Sequence, residues 1–373
     1  MALNCGIVGL PNVGKSTIFS ALCSTPVETT KYPSSTVKAN IGVINVPDQR
    51  LDKLSAIFLP RKTIHATMEL VDIAGLAKGS SRGDGLGNQF LSNIRDSAVY
   101  IHVVRCFEDS EILHVSDKLD PASDMETIDI ELALADMQTL AKRRERAEKN
   151  LKNHAEKKNT EFVISVLDKI EPALEEARGV RSLALSPEEK AVIYDCHFIT
   201  AKPQLYVCNV DETAIRSLAA GKADNPYIEA VKKRAESEGT EALCICGKFE
   251  AEIAGLETLE EKQAFLEDLG LKETGLSALI HSAYKLLGLR TFFTTGEDEC
   301  RAWTIRAGDT APKAAGAIHT DFEKGFIKAE VYTCDDIFHY GSEAKIREAG
   351  KYRLEGKEYI VQDGDVIFFK FNL

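Results

Sequence analysis

Hydrophobic and polar positions change rhythm three times along this 373-residue chain. Up to about residue 122, short apolar runs alternate with amphipathic stretches and glycine turns. Asn4–Val8, Ile41–Ile44, Ala66–Val71 and Val99–Val104 have the length and β-branched content of buried strands, and Thr17–Leu22 reads as a helix. The alternation predicts a mainly parallel sheet with crossover helices. From Ser123, with Glu126 three residues on, the spacing predicts a capping box and a long helical stretch to about Arg178. There Val163, Val166, Leu167, Ile170 and Leu174 recur at steps of three and four, one apolar helix face. A further box at Ser186 and Glu189 opens another helix that ends before Thr200.

Strand-like runs then return at Gln204–Cys208 and Ala242–Cys246, with helices opening at Asn225-Pro226 and at Thr258 with Glu261. The helical segment therefore reads as an insertion into one α/β domain. From about Leu287 the pattern turns β-rich: Cys300–Ile305 and Val366–Phe371 alternate as strands, a short helix falls near Pro312 to Ile318, and Asp363-Gly364 marks a tight turn. The boundaries expected are 1–122 plus 199–286 for a nucleotide-binding domain, 123–198 for the helical insertion and 287–373 for a small mixed module.

Composition narrows the class. Hydrophobic residues at 44 % and charged residues at 28 % are ordinary for a globular protein, and no apolar run reaches the roughly 20 residues of a membrane span. Nine scattered cysteines without a C-x-x-C pair argue against a disulfide framework and for a reducing cytoplasmic setting; core packing and a redox-sensing thiol both stay open. A net charge of −12 opposes indiscriminate nucleic-acid binding. One local exception lies between 141 and 158, where eight Lys and Arg face three Glu. It reads either as a contact with RNA phosphates at the tip of a helical hairpin or as a solvated helix face. From 290 to 373, 12 basic residues face 15 acidic ones, so the C-terminal module is not a phosphate magnet.

The chemistry starts at Gly9-Leu10-Pro11-Asn12-Val13-Gly14-Lys15-Ser16, a phosphate-binding loop between a strand and a helix. Backbone N–H groups there surround phosphate oxygens at a positive helix end. Asn12, Val13, Gly14, Lys15, Ser16 and Thr17 form the expected phosphate contacts, Lys15 reaches the β- and γ-phosphates, and Ser16 ligates Mg²⁺. Asp72-Ile73-Ala74-Gly75 follows a strand: Asp72 suits a carboxylate that holds the metal through water, and the Gly75 N–H suits the γ-phosphate. Thr36 sits where a further metal ligand is expected. The position that carries a water-orienting glutamine in related hydrolases is Leu76, so hydrolysis is slow or uses another group. His114, after the Val99–Val104 strand, is the candidate, against an ordinary surface role.

The base-reading motif N-K-x-D is replaced by Asn209-Val210-Asp211-Glu212. The carboxylate that reads guanine is displaced, and an Asn amide can pair with adenine N6 and N7. Asn209, Val210 and Glu212, with backbone from Cys246 and Gly247, are the expected base site, and ATP is expected over GTP.

Together these residues resemble the YchF subfamily of Obg-like P-loop ATPases. The resemblance rests on the loop at 9–16, Tyr32-Pro33 with Thr36, the run Asp72–Gly79, Gly85-Leu86-Gly87-Asn88, the 209–212 motif, Ala302–Ile305 and His319–Phe326, and it spans the chain. Ser34-Ser35 and Cys246-Gly247 depart from the family's usual Phe-Cys and Ser-Ala. The resemblance implies a Ras-like domain interrupted by a helical hairpin, followed by a TGS module of β-grasp fold. It implies ATP hydrolysis in which His114, Lys15 and Gly75 take part, K⁺ stimulation through Asn12, and association with the ribosome and its RNA, with no membrane and a monomeric protein. A GTPase of the same fold, and a nucleotide-gated binding protein with incidental turnover, remain the alternatives.

Overall fold

The computed structural model describes residues 4–24, 41–73, 91–92, 94–109, 118–151, 157–222 and 225–372. Among them the chain forms two compact units, one from 4–24, 41–42 and the described part of 69–279, the other from 43–68 and 280–372. The N-terminal strands are β1 (Asn4–Val8), β2 (Ile41–Asn45), β3 (Lys62–Ile64), β4 (Thr67–Asp72) and β5 (Val99–Arg105). After the helical segment come β6 (Gln204–Asn209) and β7 (Ala242–Ile245). The C-terminal strands are β8 (Leu289–Thr294), β9 (Glu299–Arg306), β10 (Phe326–Thr333), β11 (Arg353–Glu355) and β12 (Asp365–Phe371).

The first sheet runs β2-β4-β1-β5-β6-β7. The pairs β1–β4, β1–β5, β5–β6 and β6–β7 are parallel, as the alternation predicts. Every residue of β5 and β6 is buried, the mark of central strands covered on both faces. β5 and β6 are neighbours in the sheet, yet the helical segment lies between them in sequence. That segment is the pair Pro121–Asn150 and Lys157–Glu175. Val163, Val166, Leu167, Ile170 and Leu174 pack against Leu140 and Ala147, so the apolar spacing does mark the buried face. Part of the basic run is answered within the pair: Arg144 binds Asp168 at 2.6 Å and Glu171 at 2.8 Å, and Lys149 binds Glu145.

The long helix begins earlier than expected. Asp120 accepts from the N–H groups of Ala122 and Ser123, and Pro121 occupies the first turn. An Asp cap followed by Pro outcompetes the Ser123 box, because proline fixes the helical φ and has no N–H to satisfy. The boxes at Ser186 and Thr258 and the Asn225 cap form as expected. Where the chain returns from the segment, buried Asp136 of the long helix accepts from the backbone N–H groups of Ile199 and Thr200 and from the Thr200 hydroxyl. Lys202 Nζ then donates to the carbonyl oxygens of Ile94, Arg95 and Ser97.

In the second unit the sheet order is β11-β10-β12-β8-β9-β3. A parallel β8–β12 pair is flanked by antiparallel β9 and β10, with Ala311, Ala314 and Ala315 of one helix packed on Phe292, Val331 and Phe369. This is a β-grasp arrangement. β3, from the N-terminal half, adds a parallel edge strand on β9. All nine cysteines are buried or half-buried.

Candidate nucleotide-binding site

Three strands of the first sheet end on one rim, where ligands bind in open parallel sheets. β1 ends at Val8, and the chain turns through Gly9–Gly14 into the helix Lys15–Cys23. Gly9 has φ 156° and Gly14 φ 94°. A Cβ on Gly9 would lie 2.5 Å from the Val103 carbonyl oxygen, and one on Gly14 2.1 Å from Asn209 Nδ2, so neither position admits a side chain. Asn12 also has positive φ, at 62°, which its short polar side chain tolerates.

Lys15 is buried, and its Nζ donates to Gly9 O at 3.0 Å and Leu10 O at 2.7 Å. Burial pushes its pKa down to about 8, partly opposed by the charge of Asp72. The ammonium is thus desolvated and held by neutral acceptors of its own loop, so an entering anion meets a positive charge that forms no ion pair among the described residues. β4 ends at Asp72, in register with Ile7. Burial raises the Asp72 carboxyl, against the pull of Lys15. Its Oδ1 is buried with no hydrogen-bond partner among the described residues. A carboxylate oxygen so placed fits a hydrated divalent cation, and the exposed Ser16 at the helix start fits a direct ligand.

β6 ends at Asn209, whose side chain is committed inside the protein. Nδ2 donates to Val13 O at 2.8 Å, and Oδ1 accepts from Gly247 N at 3.1 Å. Asn209 therefore ties the phosphate loop to the turn after β7. Val210 differs from expectation. Its N–H donates to Ile245 O and its side chain packs in the core, as an apolar residue at that position must. Glu212 opens the helix Glu212–Ala219 and pairs with Lys248 of the helix Gly247–Ala254. Cys246 is buried at that second helix's start, and Gly247 packs near Thr17 and Ile18. The Glu212–Lys248 pair escaped sequence reasoning. Its signal was available: each residue sits within two positions of the start of a helix that follows adjacent strands. Thr36, Gly75, Leu76 and His114 lie outside the described residues.

A protein of Haemophilus ducreyi named "Ribosome-binding ATPase YchF" is 50 % identical over 373 residues, all of both chains. The chain belongs to the YchF family. A Bacillus subtilis YchF of the same name is 48 % identical over both full lengths. Among solved structures, that of the Schizosaccharomyces pombe YchF GTPase superposes with a TM-score of 0.86 at 37 % identity, over 99 % of this chain and 97 % of that one. Residues 4–169 match the family described as 50S ribosome-binding GTPase, and 289–372 match YchF-GTPase_C, described as a protein of unknown function (DUF933). The YchF fold thus accounts for both sheets: the P-loop domain carries the cradle at 9–16, and the C-terminal domain carries the β-grasp.

Proposed function

We propose that this YchF-family chain is a Mg²⁺-dependent ATPase that acts as a nucleotide-controlled switch on the ribosome, in the cytoplasm and as a monomer. The observation that carries the reading is Lys15, a desolvated ammonium closed onto its own loop at the positive end of a helix. It is poised to exchange the Gly9 and Leu10 carbonyls for phosphate oxygens. Ser16 and Asp72 would hold the magnesium, the first directly and the second through water; when bound, the ion neutralises charge on the β- and γ-phosphates. Gly75 and His114 complete the proposed catalytic set, and Thr36 the metal set. Among the described residues no helix is long and apolar enough to cross a membrane. Ribosome association is supported by the names of the full-length relatives. The three-part division at 123, 199 and 287 belongs to the same proposal, as does K⁺ stimulation through Asn12.

For ATP over GTP, the support is the fate of the guanine-reading carboxylate. Glu212 is paired with Lys248, and guanine N1–H and its 2-amino group lose their acceptor. Adenine, which has no such donors, is not penalised. Asn209 contributes by fixing the walls of the site, Val13 on one side and Gly247 on the other. Competition between ATP and GTP for a labelled ATP analogue tests this: tighter displacement by GTP overturns it. The second reading is a GTPase, favoured by the name given to the S. pombe relative. Single-turnover hydrolysis by the parent, Lys15→Ala and His114→Ala, with and without ribosomes, tests the switch. Parent turnover no faster than that of Lys15→Ala removes the enzyme reading, and cosedimentation unaffected by nucleotide removes the switch.

A further inference from the structure

We propose a second phosphate-binding site in the first unit, separate from the Gly9–Ser16 loop, in a pocket of about 320 Å³ between the segment around Arg95, the long helix Pro121–Asn150 and the residues just before the return strand. Four cationic side chains line it: Arg95, Lys142, Arg143 and Arg146. The one carboxylate there is Asp195, itself 65 % exposed and 3.6 Å from Arg143. An exposed pair at that distance neutralises little charge. In a chain of net charge −12, four cations around a pocket with one carboxylate in its lining, and buried Asp136 behind Arg95, is a local reversal of sign.

Two of the three arginines, Arg95 and Arg143, are half-buried, not splayed into solvent. Arg95 Nη2 donates to Thr139 Oγ1 at 2.9 Å and to Ala135 O at 3.4 Å, and Lys202 grips the carbonyl of the same residue. The Arg143 side chain is 25 % exposed. The Nε–H groups of both are buried and have no acceptor among the described residues. Unmet guanidinium donors are costly, and a tetrahedral oxyanion matches their forked geometry. Lys142 and Arg146, four residues apart and both exposed, form the mobile-charge rim that such a site needs. The ligand class is a phosphate group. A small polyphosphorylated compound and an RNA backbone both present that chemistry, and the pocket is at the small end of ligand cavities.

Calorimetric titration of the full chain with pyrophosphate tests the site, with the phosphate loop first saturated by Mg²⁺ and a non-hydrolysable ATP analogue. A parallel titration uses a short single-stranded RNA. One bound pyrophosphate, or one bound RNA, per chain is expected, weakened at least tenfold in Arg95→Gln/Arg143→Gln and about threefold in Lys142→Gln/Arg146→Gln. Pyrophosphate binding identifies a small-molecule source, and RNA binding without it identifies the backbone source. Absence of both, or binding undiminished in the variants, overturns the proposal. Should the first variant fail to fold, which circular dichroism reads, the rim variant alone decides.

Discussion

Two charged regions of the first unit obey opposite rules. At the C-terminal rim of the sheet, among the described residues, Lys15 bonds to carbonyls of its own loop and Asp72 keeps a buried oxygen without a partner. Toward the other end, Arg181, Arg234, Asp129 and Glu238 close on one another beside Tyr100 and Tyr206. Arg234 binds Asp129 at 2.8 Å and Glu238 at 2.5 Å; Arg181 donates to the Tyr100 hydroxyl and lies 3.5 Å from Glu238. In the second set every charge has an opposite charge of the same cluster within 4 Å; in the first, neither Lys15 nor Asp72 has one among the ion pairs of the described residues. Charges that a fold buries for structure are paired internally, whereas charges buried for binding wait for an external partner.

That contrast fixes how each region fails. Arg181→Ala leaves Glu238 and Asp129 with Arg234 as their cation and strips the buried Tyr100 hydroxyl of its donor, and a loss of about 1–3 kcal/mol in unfolding free energy is expected, read by urea denaturation, with nucleotide affinity of the folded fraction changed little. Lys15→Ala should do the reverse: nucleotide affinity falls about 100-fold in a fluorescent-analogue titration, while the melting temperature holds or rises because a desolvated ammonium is gone. Equal destabilisation by the two would erase the distinction.

Asn209→Ala sharpens the picture at the rim. As a strut between Val13 and Gly247 it should cost about tenfold in affinity for ATP and GTP alike. A loss confined to ATP would return Asn209 to base reading. The smallest effect concerns protons. Lys15 in the empty loop has its pKa lowered to about 8, and a phosphate beside it raises that value again. Above pH 8 the empty site is largely neutral, so binding takes up a proton; near pH 7 it is already charged and uptake vanishes. Calorimetry at about pH 8.5, just above that pKa, in two buffers of different ionisation enthalpy reads the difference. Equal observed heats in the two buffers, before any buffer correction, would mean that Lys15 is protonated throughout.

The phosphate loop was legible because its backbone leaves no choice: only glycine fits at φ 94° against Asn209. The strands β5 and β6 announced themselves by unbroken apolar runs, and the Asn225-Pro226 cap by residue type alone. β3 was not legible. Three residues, Lys62–Ile64, show no periodicity, and their pairing with β9 is decided by sheet closure far along the chain. The bonds of Asn209 to Val13 and Gly247 were not legible, because an amide serves a base or a backbone equally well and sequence does not show burial. The Arg181–Glu238 network was invisible for a related reason: Arg, Asp and Glu read as surface until four of them are found together.

The position of the helical segment between β5 and β6 has a kinetic consequence. These neighbours must find each other across about 100 residues, a separation that slows pairing in proteins whose contacts are distant in sequence. The helices collapse locally, on a microsecond scale, before such pairing. Asp136, clasping Ile199 and Thr200, then draws the end of the excursion back beside its beginning. In the folded chain that one carboxylate shortens the long detour, because with it closed the separation that β6 must bridge to reach β5 is smaller than the sequence suggests.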